Sequence, residues 1–174
     1  TLMKEIMKQY DNYALSISAT TRSPREGEVD GREYFFRTVD EFEKMIAQDE
    51  LIEYAKYVDN YYGTPRAQVD FLVEQGKNVL LEVEAQGVGQ VKLFKPDALC
   101  FFVLPKSFED LERQIHEIYG DNDASAEMRI NKARMEMELA PLWRNTVTNE
   151  DIPLAVAQIK AKILEELEAR KNKK

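Results

Sequence analysis

Hydrophobic and polar positions repeat with two different periods along this chain of 174 residues, and the changes of period mark its elements. Apolar residues at helical spacing in "TLMKEIMKQY" predict that the chain starts within a helix. Alternation in "YALSIS" and "LIEYAKYV" predicts two strands. The nearly continuous apolar runs "NVLLEVE" and "ALCFFVL" are typical of parallel strands that helices cover on both faces.

Capping residues predict where further helices begin. The expected starts are Thr38 with Glu41 as a capping box, Thr64 with Pro65, Ser107, and Asp151 with Pro153. Gly76 is expected to stop the helix that Pro65 starts, and residues 124–139 return to helical spacing. Because strands alternate with helices, the sequence predicts an α/β fold with a largely parallel sheet, into which the turn-rich segment from Ser16 to Gly76 is inserted.

Composition and charge narrow the function classes. Hydrophobic residues make up 44% of the chain and charged residues 32%, which is typical of one soluble globular domain. The net charge of −8 argues against a broad basic surface, so neither nucleic acid nor a membrane is an expected partner. No apolar run is long enough to span a membrane and no signal-peptide pattern opens the chain, so the expected location is the cytoplasm. The single cysteine, Cys100, is predicted to be a buried strand thiol.

One segment, "SISATTRSPREGEVDGREYFF" at residues 16–36, concentrates basic and hydroxyl groups. Its Gly and Pro residues predict a loop, from which Arg22 and Arg25 project. Guanidinium groups bind phosphate oxygens through paired, charge-assisted hydrogen bonds, so the loop is predicted to hold a small anion. The alternative is that both arginines are surface residues paired with Glu26 and Glu28.

This segment and four others, "IEYA", "NYYGTP", "LLEVEAQGV" and "MRINKAR", resemble the guanylate kinase family in order and spacing over nearly the whole chain. The resemblance implies a P-loop NTPase-like α/β core with a parallel sheet flanked by helices, an inserted mixed α/β GMP-binding subdomain and a helical lid. The implied bounds are 1–15, 79–113 and 140–174 for the core, 16–78 for the GMP-binding subdomain and 114–139 for the lid. The implied reaction is the ATP-dependent phosphorylation of GMP to GDP.

The resemblance also assigns residues to GMP. It implies that the phosphate is held by Arg22, Arg25, Tyr34 and Tyr62, and the guanine by Ser18, Glu53, Thr64 and Glu84. Guanine presents its N1–H and N2–H2 donors side by side, which suits one carboxylate, whereas adenine has an acceptor at N1. Glu53 is therefore the expected base-reading residue. The alternative is that Glu53 and Glu84 are solvent-facing residues at strand edges.

For ATP, the resemblance implies Mg²⁺ as the cofactor, Thr1 as a metal ligand and Asn149 near the adenine. Arg129 is expected to contact ATP and, with Arg22, to be catalytic, because cationic groups stabilise a phosphoryl group in transfer. Glu82 is expected to point to the same side of its strand as Glu84 and to orient a metal-bound water.

Two departures from the family pattern weigh on the expected activity. The family's Gly-rich phosphate loop neither precedes Thr1 nor recurs elsewhere, which predicts a further segment upstream of Thr1. In the lid, Gln114 and Ile118 stand where the family has arginines, and Lys132 or Arg134 are the candidate helpers. The alternative function is a catalytically impaired guanylate-kinase-like module that binds GMP or a protein. The oligomeric state is left open.

Overall fold

A computed structural model of the chain describes residues 1–120 and 123–172. Its helices are α1 Leu2–Gln9, α2 Val39–Ala47, α3 Arg66–Glu74, α4 Val88–Phe94, α5 Phe108–Tyr119, α6 Ala124–Leu139 and α7 Ile152–Lys171. Its strands are β1 Tyr13–Leu15, β2 Ala19–Thr20, β3 Phe35–Phe36, β4 Leu51–Tyr57, β5 Asn60–Pro65, β6 Asn78–Leu80, β7 Phe102–Leu104 and β8 Thr146–Thr148. Short 3-10 turns lie at Ala85–Gly87 and Ala140–Leu142. Helix α1 confirms the helix predicted at the start of the chain.

The chain divides into two compact units, residues 6–98 and residues 1–5 with 99–174. The finer division into core, GMP-binding subdomain and lid stays a prediction. In the described part of the chain, no helix is both long and apolar enough to cross a membrane.

The unit of residues 6–98 contains two sheets. β1 and β6 pair in parallel, and β3, β2, β5 and β4 form a four-stranded sheet in that order. In the larger sheet β2 and β3 are parallel, while β5 is antiparallel to both β2 and β4. The alternating pattern "LIEYAKYV" forms an antiparallel strand, and the continuous apolar run "NVLLEVE" supplies a parallel strand, as predicted for that run.

Helix α2 packs its apolar side against the four-stranded sheet. The predicted capping box is present: Thr38 Oγ1 accepts from the Glu41 N–H at 3.2 Å, and Glu41 Oε2 accepts from the Thr38 N–H at 2.7 Å. Phe42 is fully buried in a cluster that includes Leu51. Its ring stacks on that of Tyr61 with 5.1 Å between centroids, so this one side chain joins the helix to the sheet.

Phe42→Ala is expected to lower the free energy of unfolding by about 3–5 kcal/mol, because it removes a fully buried ring and leaves a cavity. Urea unfolding followed by circular dichroism measures the loss. The control is Phe71→Ala on α3, where the phenylalanine is 58% exposed, and its expected change is below about 1 kcal/mol. Equal losses in the two variants would contradict the packing described here.

The strands predicted from "YALSIS" and "NVLLEVE" are shorter than expected. β1 ends at Leu15, and its ladder with β6 ends there too. The Ser16 N–H still donates to the Leu80 carbonyl at 2.9 Å, and the next N–H, that of Ile17, donates to Gln68 Oε1 at 2.6 Å. Residues 81–84 are not part of a strand, so the prediction that Glu82 projects from one is wrong.

Two glutamines attach α4 and the turn before it to strand β4. Gln90 Nε2 donates to the Tyr54 carbonyl at 2.8 Å, and Gln90 Oε1 accepts from the Tyr54 N–H at 3.2 Å. Gln86 Nε2 donates to the Lys56 carbonyl at 3.2 Å. The turn at Ala85–Gly87 is therefore held beside β4.

In the unit of residues 1–5 and 99–174, β7 and β8 pair in parallel. The predicted caps are present: Ser107 Oγ accepts from the Asp110 N–H at 3.1 Å, and Asp151 Oδ1 accepts from the Leu154 N–H at 2.9 Å. Helices α6 and α7 and strand β8 bury apolar side chains, namely Ala126, Ile130, Val147, Ala155, Val156 and Ile159.

The prediction for Cys100 is wrong. Cys100 is only half-buried, and β7 begins two residues after it, at Phe102. Its carbonyl accepts from Asn145 Nδ2 at 3.1 Å. The run "ALCFFVL" joins the sheet only over its last part, because its ladder with β8 covers three residues.

Candidate functional site

A β-bulge sets the direction of the Glu53 side chain. The register of β4 against β5 shifts between Leu51 and Glu53. Leu51 packs with Phe42 on the α2 side of the sheet, and in a regular strand Glu53 would point to that side as well. Gly63 faces Phe42, so its neighbour Thr64 faces away from α2, and Glu53 lies opposite Thr64. The extra residue thus turns Glu53 away from the α2 core, a recognised use of bulges near functional sites.

Glu53 is a buried carboxylate, with 3% of its surface exposed. Its Oε1 accepts a hydrogen bond from Thr64 Oγ1 at 2.6 Å. Burial raises the pKa of Glu53; the Thr64 hydrogen bond, a smaller effect, lowers this pKa, and the nearby charge of Glu84 raises it. The alternative of a solvent-facing Glu53 is therefore wrong.

Thr64 serves this carboxylate rather than a helix. It is 1% exposed and lies within β5, with its hydroxyl on Glu53. The prediction that Thr64 caps a helix starting at Pro65 is wrong, because Pro65 itself occupies the N-cap position and α3 begins at Arg66. The predicted stop is confirmed: Gly76 has a φ of 74° just after the helix ends.

Two acidic residues after β6 act on different parts of the site. Glu84 is half-buried, its carbonyl accepts from the Gly87 N–H at 2.8 Å, and its charge acts on Glu53. Glu82 is exposed. The pKa of Tyr34 is raised first by the burial of Tyr34 and next by the charge of Glu82.

Glu28 organises the arginine loop. Its Oε1 accepts from Arg22 Nη2 at 2.9 Å, and its Oε2 accepts from the Arg25 N–H at 2.7 Å. The hydrogen bond from Arg22 is the main cause that lowers the pKa of Glu28. The ion pair between Arg22 and Glu28 that the sequence left open is thus observed. It fixes the guanidinium over the Tyr34 ring, 5.3 Å from the centroid.

Tyr34 and Tyr62 lie edge to face, with 6.1 Å between ring centroids. Burial raises the pKa of Tyr34, so its hydroxyl stays protonated and is a neutral hydrogen-bond donor. Arg22 lies over the rings of Tyr34 and Phe36. The structure therefore brings together three of the predicted phosphate-binding side chains, and the fourth, Arg25, is exposed on the same loop.

Sequence reasoning missed the two threonines that anchor this loop. Thr20 is fully buried; its hydroxyl donates to the Tyr61 carbonyl at 2.9 Å and accepts from the Arg22 N–H at 3.2 Å. Thr21 Oγ1 accepts from the Tyr61 N–H at 2.9 Å. Thr20, two residues before a loop arginine, was the available signal, because short hydroxyl side chains bond to backbone groups close in sequence, here the Arg22 N–H.

Gln68 was also missed, and it holds the backbone beside Ser18. Gln68 Oε1 accepts from Ser16 Oγ at 2.9 Å and from the Ile17 N–H at 2.6 Å. On the other side, the Ser18 carbonyl accepts from the Phe35 N–H at 2.9 Å. Ser18 is half-buried between these two attachments. The eight predicted GMP residues all belong to the unit of residues 6–98.

The residues predicted for ATP belong to the other unit. Thr1 is exposed just before α1. Asn149 is exposed directly after β8, and its N–H donates to the Leu104 carbonyl at 2.9 Å. Arg129, on α6, places its guanidinium 4.4 Å from the centroid of the Tyr119 ring. Contact between these residues and ATP stays a prediction.

Gln114 and Ile118, which the resemblance sets at the family's lid arginine positions, are both exposed on α5. Of the candidate helpers on α6, Lys132 Nζ lies 3.7 Å from Glu136 Oε1, and Arg134 lies over an aromatic ring of α5 at 4.7 Å. Both helpers therefore have local structural contacts.

The donor set fits Mg²⁺ better than a metal with a protein cage. Over residues 1–120 and 123–172, no group of three or more His, Cys, Asp and Glu side chains is placed to hold a metal ion. Mg²⁺ is usually held by one or two protein oxygens together with substrate phosphates. The exposed hydroxyl of Thr1 is an oxygen donor of that kind.

Comparisons with known proteins show which family this chain is similar to. A family profile described as Guanylate kinase matches residues 1–166. The guanylate kinase of Bacillus subtilis (strain 168) is 44% identical over 167 residues, which cover 95% of this chain and 82% of that protein. The guanylate kinase of Desulfitobacterium hafniense (strain Y51) is 40% identical over 166 residues, which cover 95% and 83%. The crystal structure of guanylate kinase from Anaplasma phagocytophilum matches with a TM-score of 0.76 at 26% identity, over 95% of this chain and 79% of that one. This match confirms the predicted α/β, P-loop NTPase-like fold class.

Proposed function

The chain belongs to the guanylate kinase family, and on this premise we propose that it transfers the γ-phosphoryl group of ATP to GMP through the residues described above. The family assignment makes it a nucleoside monophosphate kinase. The observation that carries the proposal for the GMP site is the buried Glu53 carboxylate in the same unit as the Arg22 loop. Burying a carboxylate costs free energy of folding, and the hydrogen bond from Thr64 offsets only part of that cost. A ligand that supplies further donors would offset more of it, and guanine supplies two.

Glu53 would read the guanine. Thr64 occupies one position on Oε1, and the remaining lone pairs would accept from N1–H and N2–H2. Ser18 and Glu84 would complete the contacts to the base. Adenine would present an acceptor to the same carboxylate and leave buried groups unpaired, so it would bind poorly.

The arginine loop would hold the phosphate. Arg22 is already fixed by Glu28 and the Tyr34 ring, so little ordering would be needed when the anion binds. Arg25 would add a second guanidinium, and the hydroxyls of Tyr34 and Tyr62 would donate without adding charge.

Arg22→Met is expected to weaken GMP binding by roughly 10- to 100-fold, because one charge-assisted bond contributes about 1.5–3 kcal/mol. Calorimetric titration with GMP measures the change. The control is Arg32→Met: Arg32 belongs to the same loop but donates to Glu33 Oε1 and to the Gly27 carbonyl, and its loss should leave GMP affinity nearly unchanged. Equal losses in both variants would show a general effect of loop charge instead of a phosphate contact.

Transfer would use residues of the other unit. Arg129 would stabilise the transferring phosphoryl group together with Arg22, and Asn149 would lie near the adenine of ATP. Thr1 would hold Mg²⁺, which when bound neutralises charge on the ATP phosphates. Cytoplasmic location and the absence of nucleic-acid or membrane partners stay predictions from charge and composition.

A coupled assay of GMP-dependent ADP formation tests this function, run on the complete gene product with GMP titrated in parallel. Turnover in the ordinary kinase range, roughly 1–100 per second, would support the proposal despite Gln114 and Ile118. GMP binding without turnover would overturn it in favour of a catalytically impaired, GMP-binding module. If neither turnover nor binding occurs, the GMP site itself is wrong.

A further inference from the structure

We propose that Gly87 is a specificity-determining residue of the guanine site, because the absence of a side chain there makes room for the Glu53 carboxylate. The inference rests on the proposed function. Gly87 is the last residue of the turn at Ala85–Gly87, and it is buried. A β-carbon placed on Gly87 would collide with Glu53 Oε2 and would lie 2.9 Å from Val83 Cγ1.

The backbone does not explain this glycine. Gly87 has φ −78° and ψ −19°, an ordinary right-handed conformation that alanine adopts readily. Gly89 offers a comparison two residues later, because a β-carbon there would meet nothing within 4 Å. The space that the Glu53 carboxylate and Val83 Cγ1 occupy, and not the backbone, therefore opposes a side chain at position 87.

The two oxygens of Glu53 are held from two sides. Oε1 accepts from Thr64 Oγ1 at 2.6 Å, and Oε2 lies against Gly87. Gly87 is held in turn, since its N–H donates to the Glu84 carbonyl and Gln86 and Gln90 attach the surrounding segment to β4. A side chain at position 87 would push the carboxylate out of this orientation, because Thr64 is buried in β5 and the backbone of Gly87 is held by these hydrogen bonds.

The consequence for recognition differs between two closely related bases. Guanine offers N1–H and N2–H2 to a carboxylate, whereas hypoxanthine offers only N1–H. A correctly placed carboxylate therefore prefers GMP to inosine monophosphate by the second hydrogen bond, while a displaced one makes at most one bond to either. The ratio of the two dissociation constants reports the orientation of Glu53, and it does not depend on the fraction of folded protein.

The test is calorimetric titration of Gly87→Ala, Gly89→Ala and the unaltered protein with GMP and with inosine monophosphate. We expect Gly87→Ala to reduce the preference for GMP about tenfold or more, since one charge-assisted bond is lost, and Gly89→Ala to leave it unchanged. An unchanged preference in Gly87→Ala would overturn the inference. If the unaltered protein binds neither nucleotide, the proposed function fails instead.

A second variant separates the proposed clash from a folding defect. Glu53→Asp shortens the side chain by one methylene and draws the carboxylate away from position 87. The factor by which Glu53→Asp weakens GMP binding should therefore be about fivefold or more smaller in the Gly87→Ala background than in the unaltered protein. Purely additive effects would overturn the inference. If both Gly87→Ala and the double variant fail to fold, as followed by near-ultraviolet circular dichroism, the clash is with Val83 packing and the inference is likewise overturned.

Discussion

Glu53→Gln is expected to weaken GMP binding by roughly 10²–10³-fold, about 3–4 kcal/mol, because the base would lose charge-assisted acceptors and one of its donors would face an amide N–H. The same change should improve AMP binding relative to GMP, since the new amide can donate to adenine N1. Calorimetric titration with both nucleotides measures the two effects. Glu74→Gln, at an exposed glutamate of α3, is the control and should alter neither. Full GMP affinity in Glu53→Gln would remove Glu53 from the site.

The pH dependence of GMP binding by the unaltered protein is a second test of the role of Glu53. Burial raises the pKa of Glu53, so the carboxylate takes up a proton at a higher pH than an ordinary glutamate. GMP affinity should therefore fall as the pH is lowered through this raised pKa. Stability has the opposite sign: the contribution of this group is fully present below its pKa in the unfolded chain and is lost as the pH rises through its folded pKa. Glu53→Gln should lack both dependences, and it also corrects for titration of the GMP phosphate.

Arg129→Met is expected to lower kcat by roughly 10³–10⁵-fold, because a transition-state arginine contributes on that scale and the resemblance implies that Gln114 and Ile118 replace the other two lid arginines of the family. GMP affinity should stay unchanged, since the predicted GMP residues belong to the unit of residues 6–98. Steady-state kinetics of the complete gene product, with GMP titration alongside, separates the two quantities.

The control for this prediction is Arg113→Met on α5. Arg113 is exposed and donates to Asp110 Oδ1 at 2.6 Å, so its loss should change kcat less than tenfold. If Arg129→Met also retains kcat within tenfold, the transferring group is stabilised by another cation. Arg134→Met then identifies the helper, because Arg134 is the other α6 arginine predicted as a candidate.

Local signals in the sequence predict the helices well and the strand ends poorly. The caps at Thr38, Ser107 and Asp151 each consist of one side chain and one nearby backbone N–H, so spacing alone reveals them. β1 and β6 end earlier than their apolar runs, and the Ile17 N–H just beyond β1 donates to Gln68, which is 51 residues away along the chain. No local pattern carries that information.

The candidate site shows the same division. Motifs identified Glu53, Arg22 and Tyr34, because these residue types carry the chemistry. How Glu53 is oriented was not predictable, since it depends on a bulge in the pairing of β4 with β5 and on the space left at Gly87. In a regular strand Glu53 would share the face of Leu51, but the bulge adds one residue between them and places the two side chains on opposite faces.

The hydrogen bonds from Gln90 to both backbone groups of Tyr54 have a consequence for self-association. β4 is the outermost strand of its sheet in the order β3-β2-β5-β4. Its sequence "LIEYAKY" is rich in residues that favour β-strands. The backbone N–H and C=O groups on the free edge of an outermost strand can pair with a strand of another chain. Gln90 occupies the N–H and carbonyl of Tyr54 as a neighbouring strand would, and Gln86 occupies the Lys56 carbonyl. The two glutamines therefore leave fewer backbone groups of this edge available for pairing with another chain, on the strand that carries Glu53.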